Sequence, residues 1–137
     1  MAFNLFVSYC GIDRSRVVEA KTELRRAGSS HPLIDDVDLG DLRQETFEER
    51  WPKIRAKLKA CGGAILLEGD DTHSPRITLN KELSFAISKG WPIFGISLSR
   101  RTGDPPPRVK DYKYYIPLDY DFPNIVSEIT KYYNQIE

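Results

Sequence analysis

Short apolar runs alternate along this chain with longer stretches in which apolar positions recur every three or four residues. A short apolar run is typical of a buried strand, whereas the three-four spacing is typical of an amphipathic helix. The pattern predicts strands at residues 3–9, 31–36, 64–67, 91–98 and 114–118. It predicts helices at residues 13–28, 45–61, 78–89 and 123–136.

Strands that alternate with helices indicate a parallel sheet with helices on both faces. We therefore expect an α/β fold, a flavodoxin-like three-layer sandwich with a mainly parallel sheet of four or five strands. The length of 137 residues fits a single domain spanning residues 1–137. Because parallel sheets bind ligands beyond the carboxyl ends of their strands, function is expected in the loops at residues 9–14, 35–44, 68–75 and 99–110.

Composition narrows the classes of function. The 20 Lys and Arg residues balance the 20 Asp and Glu residues, which argues against binding to nucleic acid or to an anionic membrane. No stretch approaches the roughly 20 apolar residues that span a bilayer, and the start has no signal-peptide pattern, so a cytoplasmic protein is expected. The two cysteines form no CxxC pair and the two histidines lie far apart, so no metal site is predicted.

Two stretches of the sequence resemble the TIR-domain family. Phe-Val-Ser-Tyr at residues 6–9, followed by Asp13, is similar to the family's opening strand and loop. The second stretch joins a hydrophobic strand at residues 63–67, a polar turn, Lys-Glu-Leu at residues 81–83 and Gly-Trp-Pro-Ile at residues 90–93. It looks like the part of the family that carries the catalytic glutamate. The most similar branch is the bacterial one that includes the TIR proteins of the Thoeris anti-phage defence system.

The resemblance implies an enzyme with NAD as its substrate and no further cofactor. Such enzymes break the bond between nicotinamide and ribose and give ADP-ribose or a cyclic ADP-ribose signal, here in anti-phage defence. It also implies that Glu82 is the catalytic residue, which would stabilise an oxocarbenium-like transition state. One position departs from the family, because Thr78 stands four residues before Glu82, where many members carry tryptophan.

The helix pattern independently singles out Glu82. An apolar stripe runs along this helix through Leu79, Leu83, Ala86 and Ile87. At 3.6 residues per turn Glu82 lies to one side of the stripe, where a carboxylate can face a crevice. The alternative is a glutamate near a helix start that only interacts favourably with the helix dipole.

Four further residues are candidates for substrate binding: Ser8, Tyr9, Asp36 and Thr78. Ser8 and Tyr9 end the first strand and can offer a hydroxyl and an aromatic ring to a nucleotide, although ordinary strand packing is the alternative for Tyr9. Asp36 ends the second strand, where it can hold a ribose hydroxyl or start a turn. Glu68, near the same strand ends, is expected to matter less than Glu82.

The resemblance also implies partners. Enzymes of the family assemble so that a loop of one copy completes a neighbour's site, and a neutral chain has little self-repulsion. We therefore expect self-association and a separately encoded effector protein. Two other functions fit the residues. One is a non-enzymatic TIR-like interaction module that joins copies through residues 37–44. The other is a nucleoside deoxyribosyltransferase, whose glutamate nucleophile acts on a related ribosyl bond and would explain Glu82 equally well.

Overall fold

The computed structural model describes residues 4–10, 14–28, 32–34, 47–68, 77–97, 109, 111–118 and 121–136. The strands in this part of the chain are β1 (Asn4–Cys10), β2 (Leu33–Ile34), β3 (Cys61–Glu68), β4 (Ile93–Ser97) and β5 (Tyr115–Leu118). The helices between and after them are α1 (Arg14–Arg26), α2 (Phe47–Leu58), α3 (Ile77–Ser88) and α4 (Phe122–Ile136).

The strands form one parallel sheet in the order β2-β1-β3-β4-β5. This is the strand order of flavodoxin-like folds, and it confirms the predicted α/β class. The chain moves outward from β1 to β2 and then returns to place β3 on the other side of β1. The carboxyl ends of β1 and β3 therefore flank the point at which the strand order reverses, where such sheets bind ligands.

Helices cover both faces of the sheet, and each face has its own core. Successive residues of a strand point to opposite faces, so Leu5, Val7 and Tyr9 pack together on one face while Phe6 packs on the other. The first face, called here the α1/α4 face, includes Val17, Ala20, Leu24, Ile125, Ile129 and Tyr133. The second, the α2/α3 face, joins strand residues to Ile54, Leu58, Leu83 and Ala86.

The observed boundaries differ from the predicted ones mainly at β3. This strand begins at Cys61, whereas the pattern ended the preceding helix at residue 61 and began the strand at residue 64. Glycine is common where helices end and weakens a strand, so Gly62 and Gly63 resemble a helix stop. In the structure Gly63 instead pairs with Leu5 of β1. None of the described helices is both long and apolar enough to cross a membrane.

Gly63 is required by the close approach of α4 to β3. The Tyr133 hydroxyl donates a hydrogen bond to the carbonyl oxygen of Gly62 over 3.1 Å. A Cβ atom at Gly63 would collide with that hydroxyl and press on Leu5. Burial raises the pKa of Tyr133 well above its usual value, so the phenol stays neutral and remains a donor.

We expect Gly63→Ala to lower the free energy of unfolding by about 1–3 kcal/mol, because an added methyl in a packed site forces its neighbours to move. Urea unfolding followed by circular dichroism measures this loss. The cost should be smaller in a Tyr133→Phe background, which lacks the colliding hydroxyl. An equal cost in both backgrounds would show that the close approach of α4 is not the cause.

Candidate active site at the carboxyl ends of β1 and β3

A few polar or charged side chains are buried among the residues that the structure describes. They are Ser8, Lys21, Glu68 and Glu82. Removing a carboxylate from water is costly unless neighbouring groups compensate, and buried ionisable groups at a ligand-binding edge are therefore candidates for function. The two glutamates and the serine belong to the α2/α3 face, whereas Lys21 lies on α1.

Strand geometry places Ser8 and Glu68 on the same face near the same edge. Ser8 follows Phe6 by two residues and Glu68 follows Leu66 by two, and both Phe6 and Leu66 belong to the α2/α3 face. β1 and β3 pair with Ser8 opposite Leu66, so Glu68 lies one alternating position nearer the carboxyl edge. Ser8 is 2% exposed and Glu68 is 7% exposed.

Helix α3 brings Glu82 to this face. Because β3 and β4 are parallel, α3 must carry the chain back from the carboxyl edge, and its early turns lie near that edge. Ala86 packs against β3 and β4, while Phe85 packs against the cluster around Phe6. At 3.6 residues per turn, Glu82 points between these two directions, which explains why it is only 5% exposed.

The carboxyl group of Glu68 is hydrogen-bonded to the phenol of Tyr115. The Tyr115 hydroxyl donates a hydrogen bond of 2.6 Å to Oε1 of Glu68. Burial raises the pKa of Glu68, and the hydrogen bond from Tyr115 opposes this effect in part. Burial and the neighbouring carboxylate also raise the pKa of Tyr115, so the phenol remains the donor. Glu68 therefore keeps its proton to a higher pH than an exposed glutamate.

The structure separates two of the predicted site residues. Ser8 and Glu82 share the α2/α3 face, but Tyr9 lies in the hydrophobic core of the opposite face and is 5% exposed. Adjacent residues of a strand cannot point to one face, so the expectation that Ser8 and Tyr9 together face the nucleotide does not agree with this geometry. This position agrees with the alternative of strand packing for Tyr9.

Two other predicted residues stay predictions. Asp36 lies outside the described residues, and Thr78 lies in the first turn of α3 with its side chain outside them. Glu68 and Tyr115 were not predicted as site residues. Glu68 gave a signal, since a carboxylate directly follows an apolar strand. Tyr115 gave none, because its contact with Glu68 depends on the order of the strands.

Among the described side chains, Cys61 is a reactive group that lies away from this site. Cys61 begins β3 at the opposite, amino edge of the sheet. Burial raises its pKa to about 11, so the thiol stays protonated and is a poor nucleophile. In the part of the chain that the structure describes, no three His, Cys, Asp or Glu side chains are grouped to hold a metal ion.

Comparison with known proteins extends the fold assignment. No protein-family model and no curated protein matches the chain. A solved 2-deoxyribosyltransferase from Bacillus psychrosaccharolyticus is similar with a TM-score of 0.64 and 14% identity, over 90% of each chain. A conserved protein from Enterococcus faecalis is similar with a TM-score of 0.58 and 11% identity, over 94% of this chain and 99% of that one. At these identities the likeness shows a shared flavodoxin-like fold.

The raised pKa of Glu68 predicts how stability depends on pH. In the unfolded chain this carboxyl group ionises near 4.5, whereas in the folded chain it keeps its proton to a higher pH. The free energy of unfolding should therefore fall as the pH rises from 4.5 through the folded value. Glu68→Gln cannot ionise and should show a smaller fall. Urea unfolding at several pH values compares the two proteins, and parallel pH curves would contradict the prediction.

Proposed function

We propose that this chain is an enzyme that cleaves the N-glycosidic bond of a nucleoside, and that its reaction is the transfer of a 2-deoxyribosyl group between bases. The observation that carries the proposal is the buried carboxyl group of Glu82 on α3, the helix that enters from the end of the sheet where flavodoxin-like folds bind ligands. The fold shared with a 2-deoxyribosyltransferase over 90% of each chain supports this choice of substrate.

The chemistry of the bond suits a carboxylate in this environment. As the bond to the base breaks, positive charge develops on the anomeric carbon. A buried carboxylate stabilises that charge more strongly than one in water. An oxygen of Glu82 can then bond to the anomeric carbon while the base leaves with the electron pair of the broken bond. A second base attacks the same carbon and releases Glu82.

A neutral leaving base also needs a proton as its bond breaks. Glu68 is the second buried carboxyl group on the same face, and its raised pKa keeps it protonated to a higher pH. We assign it the role of proton donor to the leaving base. The proton returns to Glu68 when the incoming base loses its own, so the enzyme regains its starting state.

NAD cleavage is a second proposal, which the sequence pattern at residues 63–67 and 81–83 favours. It uses Glu82 in the same way, but nicotinamide leaves from a cationic form and needs no proton. The two substrates therefore make different demands on Glu68. Self-association, a separate effector protein and a cyclic product stay predictions tied to this second proposal, and the cytoplasmic location stays a prediction from the sequence.

Substrate assays test both proposals. Purified protein is incubated with a deoxynucleoside and a different free base, with the matching ribonucleoside, and with NAD, and the products are identified by mass spectrometry. Exchange of the base on the deoxynucleoside is the expected result. Consumption of NAD alone would favour the second proposal. No turnover of any substrate by folded protein would favour the non-enzymatic interaction module.

Glu82→Gln should reduce base exchange by at least about 10²-fold, as expected for removal of a charge that stabilises the transition state. Glutamine keeps the size and hydrogen-bonding reach of glutamate, so circular dichroism and the urea midpoint should change little. Glu23→Gln is the matched control, because Glu23 lies on α1 and pairs with Arg26 at the surface. Unchanged turnover in Glu82→Gln would remove this residue from the mechanism.

Glu68→Gln should separate the two substrates. Loss of the proton donor should slow base exchange by about 10²-fold or more, within the range typical of general acid catalysis. Cleavage of NAD, which needs no proton on its leaving group, should change far less. Steady-state rates with each substrate measure the difference. A similar effect on both would mean that Glu68 does not act on the leaving base.

A further inference from the structure

The contact between Tyr115 and Glu68 crosses the sheet. Tyr115 belongs to β5 and Glu68 to β3, and β4 lies between them. The tyrosine ring passes over β4 at Gly95, where a Cβ atom would lie 2.6 Å from two atoms of the ring. Gly95 is therefore the position at which β4 must lack a side chain for the phenol to reach the carboxyl group.

The hydrogen bond also fixes the orientation of the carboxyl group. Tyr115 binds Oε1 of Glu68, which leaves Oε2 as the oxygen that can carry a transferable proton. Tyr115 packs against the buried apolar cluster that includes Ile93 and Val109, and this packing supports the ring that carries the hydroxyl. Among the described residues, the titratable groups on the elements packed against this end of the α2/α3 face are Tyr115 of β5 and Glu82 of α3.

We infer that Tyr115, seated over Gly95, is a positioning residue that orients Glu68 for proton transfer to the leaving base. This inference rests on the proposed function. When the bond from the anomeric carbon to the base breaks, its electron pair moves to the base nitrogen, which takes the proton from Oε2 of Glu68. The phenol then stabilises the carboxylate that remains. The incoming base later returns a proton to the same oxygen.

Tyr115→Phe tests the inference, because it removes the hydroxyl but keeps the ring over Gly95. The hydrogen bond favours the ionised carboxylate, so its loss should raise the pKa of Glu68 further. The high-pH limb of kcat/KM for base exchange should then move to higher pH. The rate on the plateau should fall about 10-fold because the donor is less well oriented. A purely structural role would lower stability without moving the limb.

Gly95→Ala perturbs the same contact between Tyr115 and Glu68 by changing the strand beneath the tyrosine ring. The added methyl should displace the ring and shift the limb in the same direction, although the phenol is intact. Combined with Tyr115→Phe, it should shift the limb no further. The two variants perturb the contact independently, so loss of folding in one leaves the other as the test. Tyr112→Phe is the matched control, because its hydroxyl binds the carbonyl oxygen of Trp91 instead, and it should leave the limb in place.

A second readout does not depend on turnover. Infrared difference spectroscopy follows ionisation of the Glu68 carboxyl group, which is assigned by its absence in Glu68→Gln. If the Glu68 carboxyl group ionises at the same pH in Tyr115→Phe and in Gly95→Ala as in the wild-type protein, the inference is overturned, whatever the activity of the variants. If the pH at which Glu68 ionises changes in the variants while the wild-type protein exchanges no base, the proposed function fails. The positioning role then fails with it.

Discussion

Parallel pairing between β1 and β3 is the interaction on which the remaining structure depends. Seven residues of β1, from Asn4 to Cys10, find partners on β3, and both strands are flanked on each side by another strand. Because β1 and β3 are neighbours, the point at which the strand order reverses lies between their carboxyl ends. The helices that connect the parallel strands cover both faces of the sheet. The same register sets Glu68 one alternating position beyond Ser8. A shift of one residue between the two strands would place Ser8 and Glu68 on opposite faces of the sheet.

The α2/α3 face combines two demands that oppose each other. Near the amino edge it is an ordinary apolar core, with Phe6, Ile54 and Leu58 fully buried. Near the carboxyl edge the same face buries Glu68 and Glu82, and a buried carboxyl group stabilises a fold less than a well-packed apolar side chain does. Such a loss of stability is typical of sites that natural selection keeps for function. The apolar core near the amino edge of this face therefore supplies the stability that the buried carboxyl groups do not.

The sequence pattern was sufficient for the architecture because strand and helix periods differ clearly and alternate along the chain. It also singled out Glu82, whose place beside an apolar stripe is a local property of one helix. It assigned Gly62 and Gly63 to a helix end, because a glycine pair gives the same local signal whether a helix stops or another element packs closely. The link from Tyr115 to Glu68 spans 47 residues, and only the order of the strands creates it.

The two outer strands have a consequence for how copies of this chain can meet. β2 has two residues, and β5 has four, of which Pro117 is one. Proline has no N–H to donate to a further strand, and short or proline-bearing outer strands discourage the addition of foreign strands. Among the described residues, neither border offers a long template for sheet extension. Copies that associate would therefore meet through helix surfaces and connecting loops, which leaves the hydrogen-bonded ladder closed within one chain.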